Sequence, residues 1–181
     1  SALFFAAVST WVLWLIARVA RAAGATREES VVALALAASS ASLFYYARHF
    51  LPYDLSLGFL LLALLTTLRS PGSWRTSVLT GLWAGLGFLA YNGYWSLAAT
   101  VLGLHVVAGR PGIKSAFERA VGAGVGLLLP VFLVLAAGRL LGHDLIAHSI
   151  EFAGTVTQGD LGHAREFIPK YLWVAEHGLA V

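Results

Sequence analysis

The stretch TSVLTGLWAGLGFLAYNGYWSLAATVLGLHVVAG, residues 76–109, runs through 34 positions without one Asp, Glu, Lys or Arg. As a single straight helix it would extend about 51 Å, well past the roughly 30 Å of hydrocarbon in a bilayer. Its one strong interruption is Tyr91-Asn92-Gly93-Tyr94, and Asn-Gly is a turn signal. The stretch therefore reads as two apolar helices folded back on each other through a tight helical hairpin at Tyr91-Tyr94.

Working outward, the rest of the chain repeats the pattern. Of 181 residues, 59% are hydrophobic and 12% charged, and mean hydropathy is +0.78. Soluble domains carry about twice that share of charge, so a membrane class comes first. Charges sit in short clusters between long apolar runs, and backbone amides left unpaired in lipid would be costly. With no ten-residue alternation of the barrel type, helices are the remaining solution. The expected fold is all-α, a polytopic transmembrane helical bundle of about six spans, near 2–17, 30–47, 55–68, 76–91, 94–108 and 120–141. By domains, residues 1–141 form the bundle, 142–170 an extracytoplasmic loop, and 171–181 the start of a further, truncated span.

The chain opens on Ser1, has no methionine, and stops at Val181 inside an apolar run, so it is expected to be an internal fragment. No basic region precedes the apolar run 2–16 and no small-residue cleavage site follows it, so no cleavable signal peptide is expected. Without cysteine there is no disulfide framework and no thiolate metal site. The basic residues that raise the pI to about 9.5 lie beside apolar spans, where they orient the chain. No nucleic-acid partner is expected.

Turns alternate in charge. One set holds Arg18, Arg21 and Arg27, then Arg69 and Arg75, then Arg110, Lys114 and Arg119; the other holds Arg48, Arg139, Arg165 and Lys170. The positive-inside rule puts the first set in the cytoplasm. Across the membrane lie the turn from Arg48 to Asp54, the Asn92-Gly93 turn and the segment 142–170; five of the six histidines and six of the nine acids fall on this side or at its edge, His177 and Glu176 being at the edge. Chemistry is expected on that outer face. Gly81 and Gly85 form one GxxxG and Gly122 and Gly126 another, spacings that let helices approach closely. Pro130 is expected to kink the sixth span, and aromatics such as Trp14, Trp74, Tyr94 and Trp95 read as interfacial anchors.

Residues 45–54, YYARHFLPYD, form the densest polar group. Arg48 with Asp54 suits a phosphate or a metal-held phosphate; alternatively Asp54 caps the third span and Arg48 is an interfacial cation. In the long outer segment, Asp144, His148 and Glu151 share a helical face, yet no zinc spacing is met, and a solvated amphipathic loop is the simpler reading. His105 lies inside the fifth span, where an ionisable group is either functional or satisfied by a neighbouring polar group.

The order of these elements resembles C-type (GT-C) glycosyltransferases, in the branch of the dolichyl-phosphate-mannose protein mannosyltransferases and bacterial aminoarabinose transferases. The resembling pattern is Arg48-His49-Phe50-Leu51-Pro52-Tyr53-Asp54, a Leu-rich span closing on Arg69, a short basic loop, the Gly-rich segment 81–91, a hairpin, a basic loop, and an outer loop leading to Tyr171-Leu172-Trp173. The resemblance implies an enzyme moving a sugar from a polyprenyl-phosphate carrier to protein, lipid or glycan on the non-cytoplasmic face of a plasma or inner membrane, in contact with membrane lipids. It implies a catalytic acid upstream of Ser1. It places Asp54 near the donor phosphate or a divalent metal ion, with Arg48 as a phosphate contact. Relatives often carry a basic residue at the hairpin where this chain has Asn92; Asn92 and Tyr94 remain as hydrogen-bonding groups there. The competing readings are a polytopic transporter or flippase, which asks for charges near the bilayer midplane, and a non-catalytic membrane subunit.

Overall fold

The structure, a computed structural model, describes residues 2–40, 52–70, 72–108 and 111–142. Within them lie six α-helices and no strand: α1 (Ala2–Ala22), α2 (Arg27–Ser39), α3 (Tyr53–Arg69), α4 (Trp74–Ala90), α5 (Trp95–Val107) and α6 (Ile113–Leu140). The all-α expectation holds. Two helical stretches are long and apolar enough to cross a membrane, Leu3–Ala22 and Ile113–Leu140, while the other helices have 13 or 17 residues. Arg48, the loop 142–170 beyond Gly142, and residues 171–181 lie outside the described residues.

Each helix starts and stops for a readable reason. α1 continues past 17, where the first span was expected to end, because nothing breaks it before Gly24. There a positive φ of 100° lets Ala25 N–H reach the Ala20 carbonyl at 3.0 Å and Gly24 N–H the Arg21 carbonyl at 3.2 Å. Those two bonds are the Schellman closure, which satisfies carbonyls that a helix end leaves open. α2 then opens on a capping box: Thr26 Oγ1 accepts from Glu29 N–H at 3.2 Å and Glu29 accepts from Thr26 N–H at 2.7 Å. The expected hairpin is present, with a 3₁₀ turn at Asn92–Tyr94 between α4 and α5.

α6 departs from expectation at its start. It begins at Ile113 rather than 120, since residues 113–120 hold no Gly or Pro, and this moves Arg119 from an expected cytoplasmic turn into the helix, 5% exposed. The helix includes Pro130, whose buried ring packs against Gly85.

The bundle is ordered α2, α1, α3, α4, α6, with α5 laid over α3, α4 and α6. Glycines set the tightest seam. A Cβ on Gly81 would strike the Ala123 carbonyl and lie 2.8 Å from Leu127 N; on Gly85 it would meet Leu127 O at 2.6 Å; on Gly126 it would strike the Val78 carbonyl. The two GxxxG motifs thus face each other, backbone to backbone.

Polarity is distributed inside out. Among the described residues nine buried ones are polar or charged, Ser56, Thr67, Ser77, Thr80 and His105 among them, nearly as many as the ten buried apolar side chains. Meanwhile Trp95, Phe117, Phe132 and Leu133 are each more than 60% exposed. Water rewards the opposite arrangement, and a hydrocarbon solvent tolerates this one.

Candidate functional site

The first polar end is where α3 begins. Asp54 stands in the first turn of α3, 3% exposed, and the cap position belongs to Pro52, which offers no side-chain acceptor. So the carboxylate does not cap its own helix, contrary to the simpler sequence alternative. It accepts a hydrogen bond from the Ser9 hydroxyl of α1. That hydroxyl also lies 3.1 Å from the Phe5 carbonyl, and a charged acceptor makes the stronger bond. Since Trp11, further along α1 than Ser9, meets Gly58 and Phe59, further along α3 than Asp54, α1 and α3 run parallel.

Next to Asp54, Tyr53 brings the hairpin into the site. Its ring centroid lies 4.3 Å from that of Tyr91, edge on, and 6.3 Å from that of Tyr94, while Tyr91 and Tyr94 are 5.2 Å apart. Edge-to-face rings at these separations add roughly 0.5–1.5 kcal/mol beyond their burial. Partial burial holds the Tyr91 phenol above its usual titration range, and a hydrogen bond and charge from Tyr53 add to that. Of the expected site residues, Tyr94 meets the ring of Tyr53, the residue before Asp54, and the backbone of Asn92 lies in the same 3₁₀ turn as Tyr94. Tyr94 is therefore a cluster member, not an isolated anchor. Ser9, Tyr53 and Tyr91 were not singled out from sequence for this site. Ser9 carried a faint signal as a hydroxyl inside an apolar run; the tyrosines carried none that distinguishes them from interfacial aromatics.

At the opposite, basic end a hydroxyl–imidazole chain crosses three helices. His105 of α5 has Nδ1 3.2 Å from Thr67 Oγ1 of α3 and Nε2 2.9 Å from Ser77 Oγ of α4, and Ser77 Oγ lies 3.2 Å from the Ser73 carbonyl. One assignment satisfies every group with a neutral ring: Thr67 donates to Nδ1, Nε2–H donates to Ser77, and Ser77 donates to Ser73. The His105 expectation resolves toward the structural alternative, a histidine satisfied by neighbours. Beside it Arg119 donates from Nε (3.0 Å) and Nη2 (2.6 Å) to the Val106 carbonyl and from Nη1 (3.3 Å) to Ser115 Oγ. A cavity of about 260 Å³ opens between the starts of α4 and α6, lined by Ser73, Trp74, Ser77, Ser115, Glu118 and Arg119.

Among the described residues no three His, Cys, Asp or Glu side chains gather to hold a metal ion at either end. The chain matches no family model, no curated protein and no solved structure.

Proposed function

We propose that this chain is the membrane core of a glycosyltransferase that takes a sugar from a polyprenyl-phosphate carrier and gives it to a protein, lipid or glycan on the non-cytoplasmic face. The observation that carries the reading is the start of α3: one buried carboxylate, Asp54, follows Tyr53 in the first helical turn, and the Tyr53 ring packs against Tyr91 and Tyr94 at the hairpin between two apolar helices. A polyprenyl chain enters the bilayer at about 0.8 kcal/mol per buried CH₂, which leaves its phosphate and sugar at the level of the helix ends. Phenols there donate hydrogen bonds to phosphate oxygens and offer ring faces to a sugar. Asp54 accepts from sugar hydroxyls in exchange for Ser9, and a separate base deprotonates the acceptor.

The same proposal has all six helices crossing the membrane, with the turns of Arg21 and Arg27, Arg69 and Arg75, and Lys114 in the cytoplasm. The inside-out polarity supports it, as does the antiparallel alternation of α3, α4 and α5. Helices of 13 or 17 residues rise only about 20–26 Å, so the bilayer has to thin around them or their ends have to be extended.

Transfer of label from polyprenyl-phosphate sugars by membranes carrying the intact protein tests the reading. Asp54→Ala and Asp54→Asn should each reduce turnover by about 100-fold or more, the scale of one lost transition-state contact. Folded variants that turn over at the parental rate would remove Asp54 from the site. Absence of transfer with every carrier would remove the reaction class.

A further inference from the structure

We propose that the contact between α1 and α3 is a proton switch: one proton taken up by Asp54 reverses its bond with Ser9 and passes the Ser9 hydrogen to the Phe5 carbonyl, which withdraws Asp54 as an acceptor. The bonds make no use of the glycosyl-transfer reading, and only the consequence for turnover rests on it.

The same atoms have two satisfied arrangements. In the ionised one the Ser9 hydroxyl donates to the Asp54 carboxylate. In the neutral one the carboxyl O–H donates to Ser9 Oγ, and Ser9 donates to the Phe5 carbonyl, 3.1 Å away. A carbonyl oxygen has two lone pairs, so it takes this hydroxyl besides its helix bond. The one atom added is the proton, and it comes from the solution at the start of α3, where Asp54 stands in the first turn. Two neutral hydrogen bonds replace one charge-assisted bond, so the exchange gives up little bonding while it removes a buried charge.

The surroundings of Asp54 make the neutral arrangement competitive. The residue is 3% exposed, and a carboxylate so buried needs a cation or a proton. α1 has no Asp, Glu, Lys or Arg from 2 to 17, α3 has none from 55 to 68, and α4, the hairpin and α5 have none from 76 to 107. Arg18 lies nine residues beyond Ser9 and Arg69 fifteen beyond Asp54, about 14 and 22 Å along their helices. α2 packs on α1 and carries Arg27, Glu28 and Glu29 in its first turn, just after the end of α1 that holds Arg21. His105 is bonded between Thr67 and Ser77. The titratable groups that remain near the start of α3 are the phenols of Tyr53, Tyr91 and Tyr94, which stay neutral where carboxyls titrate. Among the described residues a proton is therefore what neutralises Asp54. Once protonated it no longer offers a sugar hydroxyl a charged acceptor, so acid on that side should slow transfer.

The intact protein in phosphatidylcholine bilayers is followed by infrared difference spectroscopy from about pH 8 to about pH 3, a range that spans most carboxyl groups in folded proteins. A carboxylic C=O band should grow on acidification and be missing from Asp54→Asn; it reports the proton with no substrate present. In Ser9→Ala the band should move to the higher frequency of an acid whose O–H has lost its acceptor. Transfer of labelled sugar should fall to half where the parental band is half grown. Failure of transfer with every carrier would remove the reaction class and leave the band to decide the switch. A band unchanged in Ser9→Ala would overturn the proposal, as would no Asp54 band at any pH. An Asp54 band seen in Arg48→Gln but not in the parent would replace the switch by a fixed ion pair.

Discussion

At the outer end of the bundle a carboxylate takes a hydroxyl of another helix, and the tyrosine that precedes it packs its ring against two more at the hairpin. At the basic end an imidazole bonds two side-chain hydroxyls and a guanidinium a main-chain carbonyl, beside two helices that touch backbone to backbone. The difference lies in how much bonding capacity each end has left. At the basic end the His105 chain is consumed within the protein: each of its donors has an acceptor and its geometry is fixed by α3, α4 and α5 together. At the outer end Asp54 has, among the described residues, one side-chain partner, and the tyrosine rings pack edge to face. Groups with capacity to spare can exchange a protein partner for a ligand, so turnover should respond to the outer end and stability to the basic end.

The largest effect expected from this contrast is at the seam that keeps the basic end rigid. Gly81→Ala would push a methyl into the Ala123 carbonyl, and overpacking of this kind costs about 1–3 kcal/mol or more. Gly124→Ala, on α6 with nothing within 4 Å of the added Cβ, should be neutral or stabilising by up to about 1 kcal/mol. Thermal unfolding of both variants in one detergent checks the pair. Equal midpoints would mean that α4 and α6 are not in backbone contact, and the rigid end would no longer differ from the other.

A smaller loss is expected from His105→Ala, which strands the Thr67 and Ser77 hydroxyls. Hydrogen bonds between membrane helices are worth about 0.6–2 kcal/mol, so a lowering within that range is expected, with His105→Gln recovering part of it. Turnover of the folded His105→Ala protein, corrected for the amount folded, should stay at the parental level. A variant that is fully stable yet inactive would reverse the assignment of the two ends.

Much of this architecture was written in local signals. The uncharged stretch 76–109 with Asn92-Gly93 at its middle dictated a hairpin, and the paired glycine spacings dictated close approach of α4 and α6, because only residues without side chains admit a neighbouring backbone. Asp54 was legible as a candidate, since a carboxylate beside a Leu-rich run has to be explained. Other features depend on distance in space, which spacing does not encode. Ser9 is 45 residues from Asp54, and Thr67 is 38 from His105. Arg119 was misplaced for a different reason: a charge before an apolar run looks like a loop cation, yet the helix began six residues earlier and folded its guanidinium onto Val106. The role of Tyr53 was hidden because an aromatic at a span end has an adequate interfacial explanation on its own.

The subtlest difference concerns two acids, each in a first helical turn. Glu29 is fully exposed and bonds the N–H of Thr26 at its own helix start, whereas Asp54 is buried and reaches to another helix. Backbone and side-chain hydrogen bonds from Thr26 hold the Glu29 carboxyl below its ordinary value of 4.5. A group depressed in the folded state stabilises it above the unfolded value, and that contribution is lost as pH falls through the folded one. The capping box should therefore persist at pH 4.5 and open below it. The amide chemical shift of Thr26, which reports its bond to the carboxylate, should titrate with a midpoint under 4.5 and become flat in Glu29→Gln. A midpoint at or above 4.5 would show that Glu29 is not committed to its cap. Two first-turn acids would then have equal freedom, and the case for Asp54 as the one set aside for a ligand would rest on its burial alone.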